Sequence, residues 1–101
     1  MYLCNAFSIQ MIHDFPADVR IKKISAEEVK TADFDSAVSH QDTANVLSNI
    51  LGMNVPMNRI NVHLNRGDTL IVAQIMGCRL PEGATTLPEG VNIEFFEINI
   101  A

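Results

Sequence analysis

His40 stands in Ser39-His40-Gln41-Asp42-Thr43, where a loop gives way to a helix predicted to run from His40 to Leu51 and to stop at Gly52. An imidazole in the first turn of a helix lies beside backbone N–H groups that have no partner within the helix. It also lies at the positive end of the helix dipole, and both features attract phosphate. A histidine so placed can exchange a proton with a phosphate ester. Alone, it is just as well an ordinary surface residue, and what converges with it decides between the two. The chain has four arginines, Arg20, Arg59, Arg66 and Arg79, each able to hold an anion through its planar fork of donors. Two turn sequences, Leu80-Pro81-Glu82-Gly83 and Leu87-Pro88-Glu89-Gly90, offer a glutamate each, and the residues by themselves do not say which one matters.

Imidazole, guanidinium, carboxylate and helix-start amides form a set that can cleave RNA without a metal. A ribose 2′-hydroxyl attacks the neighbouring phosphorus, one group protonates the leaving 5′-oxygen, and cations steady the phosphorane charge. Each proton-transfer group contributes about 10²–10⁴-fold, and well-aimed charge stabilisation contributes as much or more. Other chemistries have less support. His13, His40 and His63 fall in separate predicted elements with no carboxylate at ligand spacing, so no metal site is expected. Cys4 and Cys78 belong to no C-x-x-C pair and read as two buried thiols in a reducing cytoplasm. No phosphate-binding glycine loop and no nucleophile elbow is present, and no cofactor is expected.

These groups need elements to position them. The pattern predicts a first strand over Tyr2 to Phe7, followed by Ser8 as the N-cap of a short turn through Ile9 and Met11. A second strand is expected from Asp18 to Ile24, with Val19, Ile21 and Ile24 facing inward. Ser25-Ala26-Glu27-Glu28 has the form of a capping box for a short helix, and Thr31 to Ser39 reads as irregular. In the His40 helix, Ala44, Leu47, Ile50 and Leu51 share one stripe. Asn58 to Leu64 and Thr69 to Met76 are expected to form an antiparallel hairpin around Asn65-Arg66-Gly67-Asp68. Leu70 to Ala73 is continuously apolar, as a central strand would be. The last strand is expected from Val91 to Ile100. The fold class is therefore α/β: a single domain, residues 1–101, with a mixed sheet of about five strands and helices packed on it. Ligands gather where loops leave strand ends and helices begin. Asn5 to Ser8, Ser39-His40 and Arg79 to Glu82 are the polar segments placed to converge there.

Composition narrows the partners. The formal net charge is −5 and the isoelectric point about 4.9, which disfavours a protein that coats long nucleic acid. Charged residues make up 19% of the chain, fewer than the quarter or so usual for soluble domains, and 48% are hydrophobic. A homodimer is expected on that ground and on the small size of the domain. There is no charged n-region and no long apolar run, so the expectation is a cytoplasmic protein without membrane contact.

With these residues in view, the chain resembles the viral anti-CRISPR ring nucleases, a family first seen as small proteins of archaeal viruses. The likeness rests on Asn5-Ala6-Phe7-Ser8-Ile9, His40 heading the Asp42-Thr43…Leu47…Asn49…Leu51-Gly52 helix, Asn58-Arg59, Arg79-Leu80…Glu82-Gly83 and Phe95-Phe96-Glu97-Ile98. It spans nearly the whole chain and is thinnest between Glu27 and Ser39. The resemblance implies a homodimer that binds cyclic tetra-adenylate, an alarm signal of type III CRISPR systems. It further implies cleavage, without metal, to linear di-adenylate with cyclic phosphate ends. The catalytic histidine falls on His40 and the catalytic glutamate on Glu82, which follows the Arg-Leu pair as Glu89 does not. Ligand-binding positions fall on Asn5, Ser8, Arg59 and Arg79, and Gln74 on the predicted central strand joins them. Two features depart from the pattern: Pro81 stands where several relatives carry an acid, and the segment before His40 is short. The alternatives are a non-catalytic nucleotide- or nucleic-acid-binding regulator of the same fold and a purely structural dimer module.

Overall fold

The computed structural model describes residues 1–77 and 79–101. Five strands and two helices follow one another as β1 (Tyr2–Cys4), β2 (Val19–Ile24), α1 (Ala26–Thr31), β3 (Asp35–Ser36), α2 (Gln41–Leu51), β4 (Thr69–Met76) and β5 (Asn92–Ile100). The strands form one mixed sheet in the order β2-β5-β4-β1-β3. β1 runs parallel to both β3 and β4, whereas β5 is antiparallel to β4 and to β2. The continuous apolar run Leu70–Ala73 lies in the middle strand, where both faces are covered and all four residues are buried.

Each face has its own core. On one, Leu3, Ile71, Ala73 and Phe95 pack with Val29 of α1 and with Ala44, Leu47 and Leu51 of α2. The predicted stripe of α2 is thus the buried one, with Ile50 at its margin. On the other face Cys4, Leu70, Val72, Ile98 and Ile100 are covered by Ile12, Val62 and Leu64 from irregular segments. Each fully buried aliphatic or aromatic side chain contributes about 1.5–3 kcal/mol to stability.

Local chemistry sets the element ends. Ser25 and Glu28 form the reciprocal capping box at the start of α1. Ser8 caps a short 3-10 turn, Ile9–Met11, its hydroxyl accepting from the Gln10 amide. α2 ends at Gly52 in the left-handed conformation, φ 64°, which glycine adopts without steric cost.

Several expectations are corrected. Residues 58–64 form no strand; only Leu64 makes a bridge, to Ile12. The turn at Asn65–Asp68 does form, with the Asp68 amide donating to the Asn65 carbonyl at 3.0 Å. It does not join a hairpin, because β4 takes β5 as its antiparallel partner. The fifth strand is instead β3, inside the segment expected to be irregular. β1 stops at Cys4 rather than Phe7. In β2, Val19 and Ile21 are 40% and 60% exposed, not inward-facing, because the cover over the second face does not reach this edge strand.

Cys4 is buried, and burial pushes its thiol up from 9.0 to about 11; Cys78 lies outside the described residues. The folded state therefore holds the Cys4 proton more tightly than the unfolded chain does. Stability is expected to fall as pH rises from about 9 to about 11, with a loss of roughly 2–3 kcal/mol at most. Denaturant melts across that range, with Cys4→Ala as the reference lacking the thiol, should show a steeper decline in the native protein.

Candidate functional site

The carboxyl ends of β1 and β4 and the start of α2 open onto one cleft of about 460 Å³. Asn5 lines it from the residue after β1, His40 from the start of α2, Gln74 from β4, and Arg79 from the loop that follows β4. Four of the seven predicted site residues therefore meet in one place. Thr43, Ile75, Gly77 and Leu80 complete the wall.

His40 is the N-cap residue of α2 rather than a first-turn residue. Its backbone is extended, φ −130° and ψ 129°, and its side chain makes no capping hydrogen bond. Its carbonyl already accepts from the Ala44 amide at 3.0 Å. The exposed imidazole is therefore not committed to its own helix, and the first-turn amides receive no cap from it. Serine, threonine, asparagine or aspartate would ordinarily fill this position and satisfy one of those amides.

The residue before it is held firmly. Asn5 Oδ1 accepts from both the Ser39 amide and the Ser39 hydroxyl, each at 3.2 Å. Arg59 donates from Nη2 and Nε to the Ser39 carbonyl at 3.1 and 3.3 Å. Asn5 and Arg59, expected as ligand contacts, are thus engaged with the chain entering His40. Arg59 is exposed and does not line the cleft. The bond between a bent-back arginine and the carbonyl twenty positions earlier depends on how segment 56–59 returns beside β3, which no spacing rule encodes.

Two other residues lie apart from the cleft wall. Ser8 is occupied as the cap of the 3-10 turn and borders a different depression, with Asn61 and His63. Glu82 is exposed in the loop beyond Arg79 and Leu80. Its neighbour Gly83 donates its amide to Asp42 Oδ2 of α2 at 3.1 Å, which brings this loop alongside the helix that His40 caps. Sequence reading missed the contact of His13 with His63, Nε2 to Nδ1 at 2.6 Å, since fifty residues separate them. Among the described residues, no group of three or more histidine, cysteine, aspartate or glutamate side chains is placed to share a metal ion. No helix among them is long and apolar enough to cross a membrane.

The chain is a single α/β domain with a cleft at the carboxyl ends of two adjacent parallel strands, β1 and β4. The STIV B116-like family matches residues 1–97, and the chain belongs to it. "Uncharacterized protein 26" of Sulfolobus islandicus filamentous virus is 34% identical over 97% of this chain and 91% of its own. "Uncharacterized protein ORF117" of Acidianus two-tailed virus is 39% identical over 82% of this chain and 74% of its own. Among solved structures, B116 of Sulfolobus turreted icosahedral virus superposes with a TM-score of 0.79 at 27% identity, covering 97% of both chains.

Proposed function

We propose that this protein is a ring nuclease that cleaves cyclic tetra-adenylate to linear di-adenylate with 2′,3′-cyclic phosphate ends, subverting or resetting type III CRISPR signalling. One observation carries the reading: an uncapped helix start whose N-cap is a free imidazole shares a cleft with an arginine. A phosphate at that helix start would take the first-turn amides as donors, with Arg79 adding charge. The 2′-oxygen then forms its bond to phosphorus as the bond to the 5′-oxygen breaks. The 5′-oxygen takes a proton from the His40 imidazolium, and the 2′-hydroxyl proton leaves to a base. Glu82, in the loop held beside α2, is the side chain assigned to that base or to aligning the 2′-hydroxyl of a ring that extends beyond the cleft wall. The steps as written use only groups of the chain.

The active unit is proposed to be a homodimer. A cleft of about 460 Å³ suits one drug-sized ligand, less than four linked nucleotides fill. Two copies about a two-fold axis would match the symmetry of the ring and place one His40 at each of two opposite phosphates.

Incubation with cyclic tetra-adenylate in EDTA, followed by separation of the products, tests the activity. Linear di-adenylate is expected. Binding without products would favour the non-catalytic regulator, a reading that the exposed position of Glu82 outside the cleft wall supports. No saturable binding would leave the structural dimer module. The choice of glutamate is tested by comparing Glu82→Gln with Glu89→Gln. The first should slow cleavage by about 10²-fold and the second should leave it unchanged; equal rates refute the assignment.

A further inference from the structure

We propose that Asp42 is a positioning residue that straps the loop between β4 and β5 onto α2 and so sets where Arg79 and Glu82 stand relative to His40. The proposal rests on the ring-nuclease reading for its consequence in the rate, but the strap itself is a property of the fold.

The loop is pinned at its neck. Gly77 has φ 106°, and a Cβ there would lie 2.5 Å from the Gly90 carbonyl oxygen, so the two ends of the loop touch. Between them the chain makes a closed excursion whose backbone forms two tight turns, Ala84 to Pro81 and Val91 to Pro88. Neither turn ties the loop to the rest of the molecule. Two side chains of α2 do. Asp42 Oδ2 accepts from the Gly83 amide at 3.1 Å, and Asn49 Nδ2 donates to the Thr85 carbonyl. Positions 42 and 49 are seven residues, or two turns, apart on the helix, so they share one face. The loop therefore lies along α2 from its first turn toward its last.

Asp42 is the anchor nearer the chemistry. It stands two residues from His40, and its partner Gly83 follows Glu82 directly. A carboxylate so close to a phosphate-binding helix start has a cost, since like charges repel. In this chain the carboxylate is the acceptor for the Gly83 amide, a bond that an apolar side chain at this position could not make. The aspartate also complements the helix dipole, and that structural role must be separated from the positioning one.

The separation uses two substitutions. Asp42→Asn keeps an oxygen acceptor for the Gly83 amide and removes the charge; Asp42→Ala removes both. Hydrogen exchange at the Gly83 amide, followed by NMR on the full chain without ligand, reads the strap directly. Exchange in Asp42→Ala should be faster by about tenfold, and in Asp42→Asn close to native. Single-turnover cleavage of cyclic tetra-adenylate should fall by about tenfold or more in Asp42→Ala and be largely restored in Asp42→Asn. Unchanged Gly83 exchange in Asp42→Ala overturns the strap. An alanine variant that cleaves at the native rate overturns the positioning role, and so does an asparagine variant as slow as alanine. A native protein that cleaves nothing while Gly83 exchange responds as stated refutes the ring-nuclease reading and upholds the strap.

Discussion

Replacing His40 with alanine is expected to lower single-turnover cleavage of cyclic tetra-adenylate by about 10²-fold or more, with binding changed by no more than a few-fold. On the proposed reading, Arg79 and the α2 amides still hold the phosphate in the variant, whereas the leaving 5′-oxygen has lost its proton donor. The deficit thus belongs to the chemical step. The fold is expected to tolerate the change, because the His40 side chain makes no capping hydrogen bond that alanine would remove. His40→Ser goes further. Serine at an N-cap normally satisfies an amide of the first turn and is favoured over non-capping residues by about 0.5–2 kcal/mol. This variant should therefore melt at a higher temperature than the native protein while cleaving no better than the alanine variant. Such a pairing of gained stability with lost turnover marks a position held for chemistry rather than folding. Cleavage by either variant at the native rate would make His40 a bystander.

That helix shows what the sequence made legible. α2 has an apolar stripe and a glycine stop at Gly52, so the element can be read in one dimension, but its first residue cannot: Ser39, Asp42 and Thr43 flank His40, and only the structure puts the imidazole at the N-cap rather than in the first turn. The capping box at Ser25 and the central strand at Leu70–Ala73 are equally local signals. Asn5, His40, Gln74 and Arg79 share one cleft, with Asn5 just after β1, His40 just before α2, Gln74 within β4 and Arg79 in the loop beyond it. What escaped depends on partners far along the chain. The alternation of Ile60, Val62 and Leu64 is that of a strand, yet their backbone finds no ladder. Val62 and Leu64 instead cover the second face of the sheet. β3 is two residues long and exists only because β1 offers it an edge. Val19 and Ile21 alternate like core residues on an edge strand whose cover runs out. The engagement of Asn5 and Arg59 with Ser39, and of Asp42 with Gly83, joins residues 20 to 41 positions apart. No periodicity reports such contacts.

Selectivity should follow from charge and from the nucleophile. A cyclic tetra-deoxyadenylate is expected to bind, more weakly than the ribose ring, and to survive incubation intact. The phosphate contacts assigned to Arg79 and the α2 amides do not involve the 2′-position, so they persist. The attacking oxygen does not, because deoxyribose lacks it. Loss of cleavage should therefore be complete rather than partial, the largest effect expected of any change to protein or ligand. Long nucleic acid fails for a different reason. The chain carries a net charge of −5, and an extended polyanion meets that field along its whole length. Its seven lysines and arginines are also divided among separate elements: Arg20, Lys22 and Lys23 on β2, Lys30 on α1, and the rest in loops. On the proposed reading a small ring is held by a few placed groups at the cleft, Arg79 and the helix start, and needs no basic surface. Titration by fluorescence anisotropy at about 150 mM salt, where the Debye length is about 8 Å, should give saturable binding of both rings and none of duplex DNA. Cleavage of the deoxy ring would exclude the 2′-hydroxyl as nucleophile. Tight binding of the duplex would show that a basic surface, and not the cleft, governs recognition.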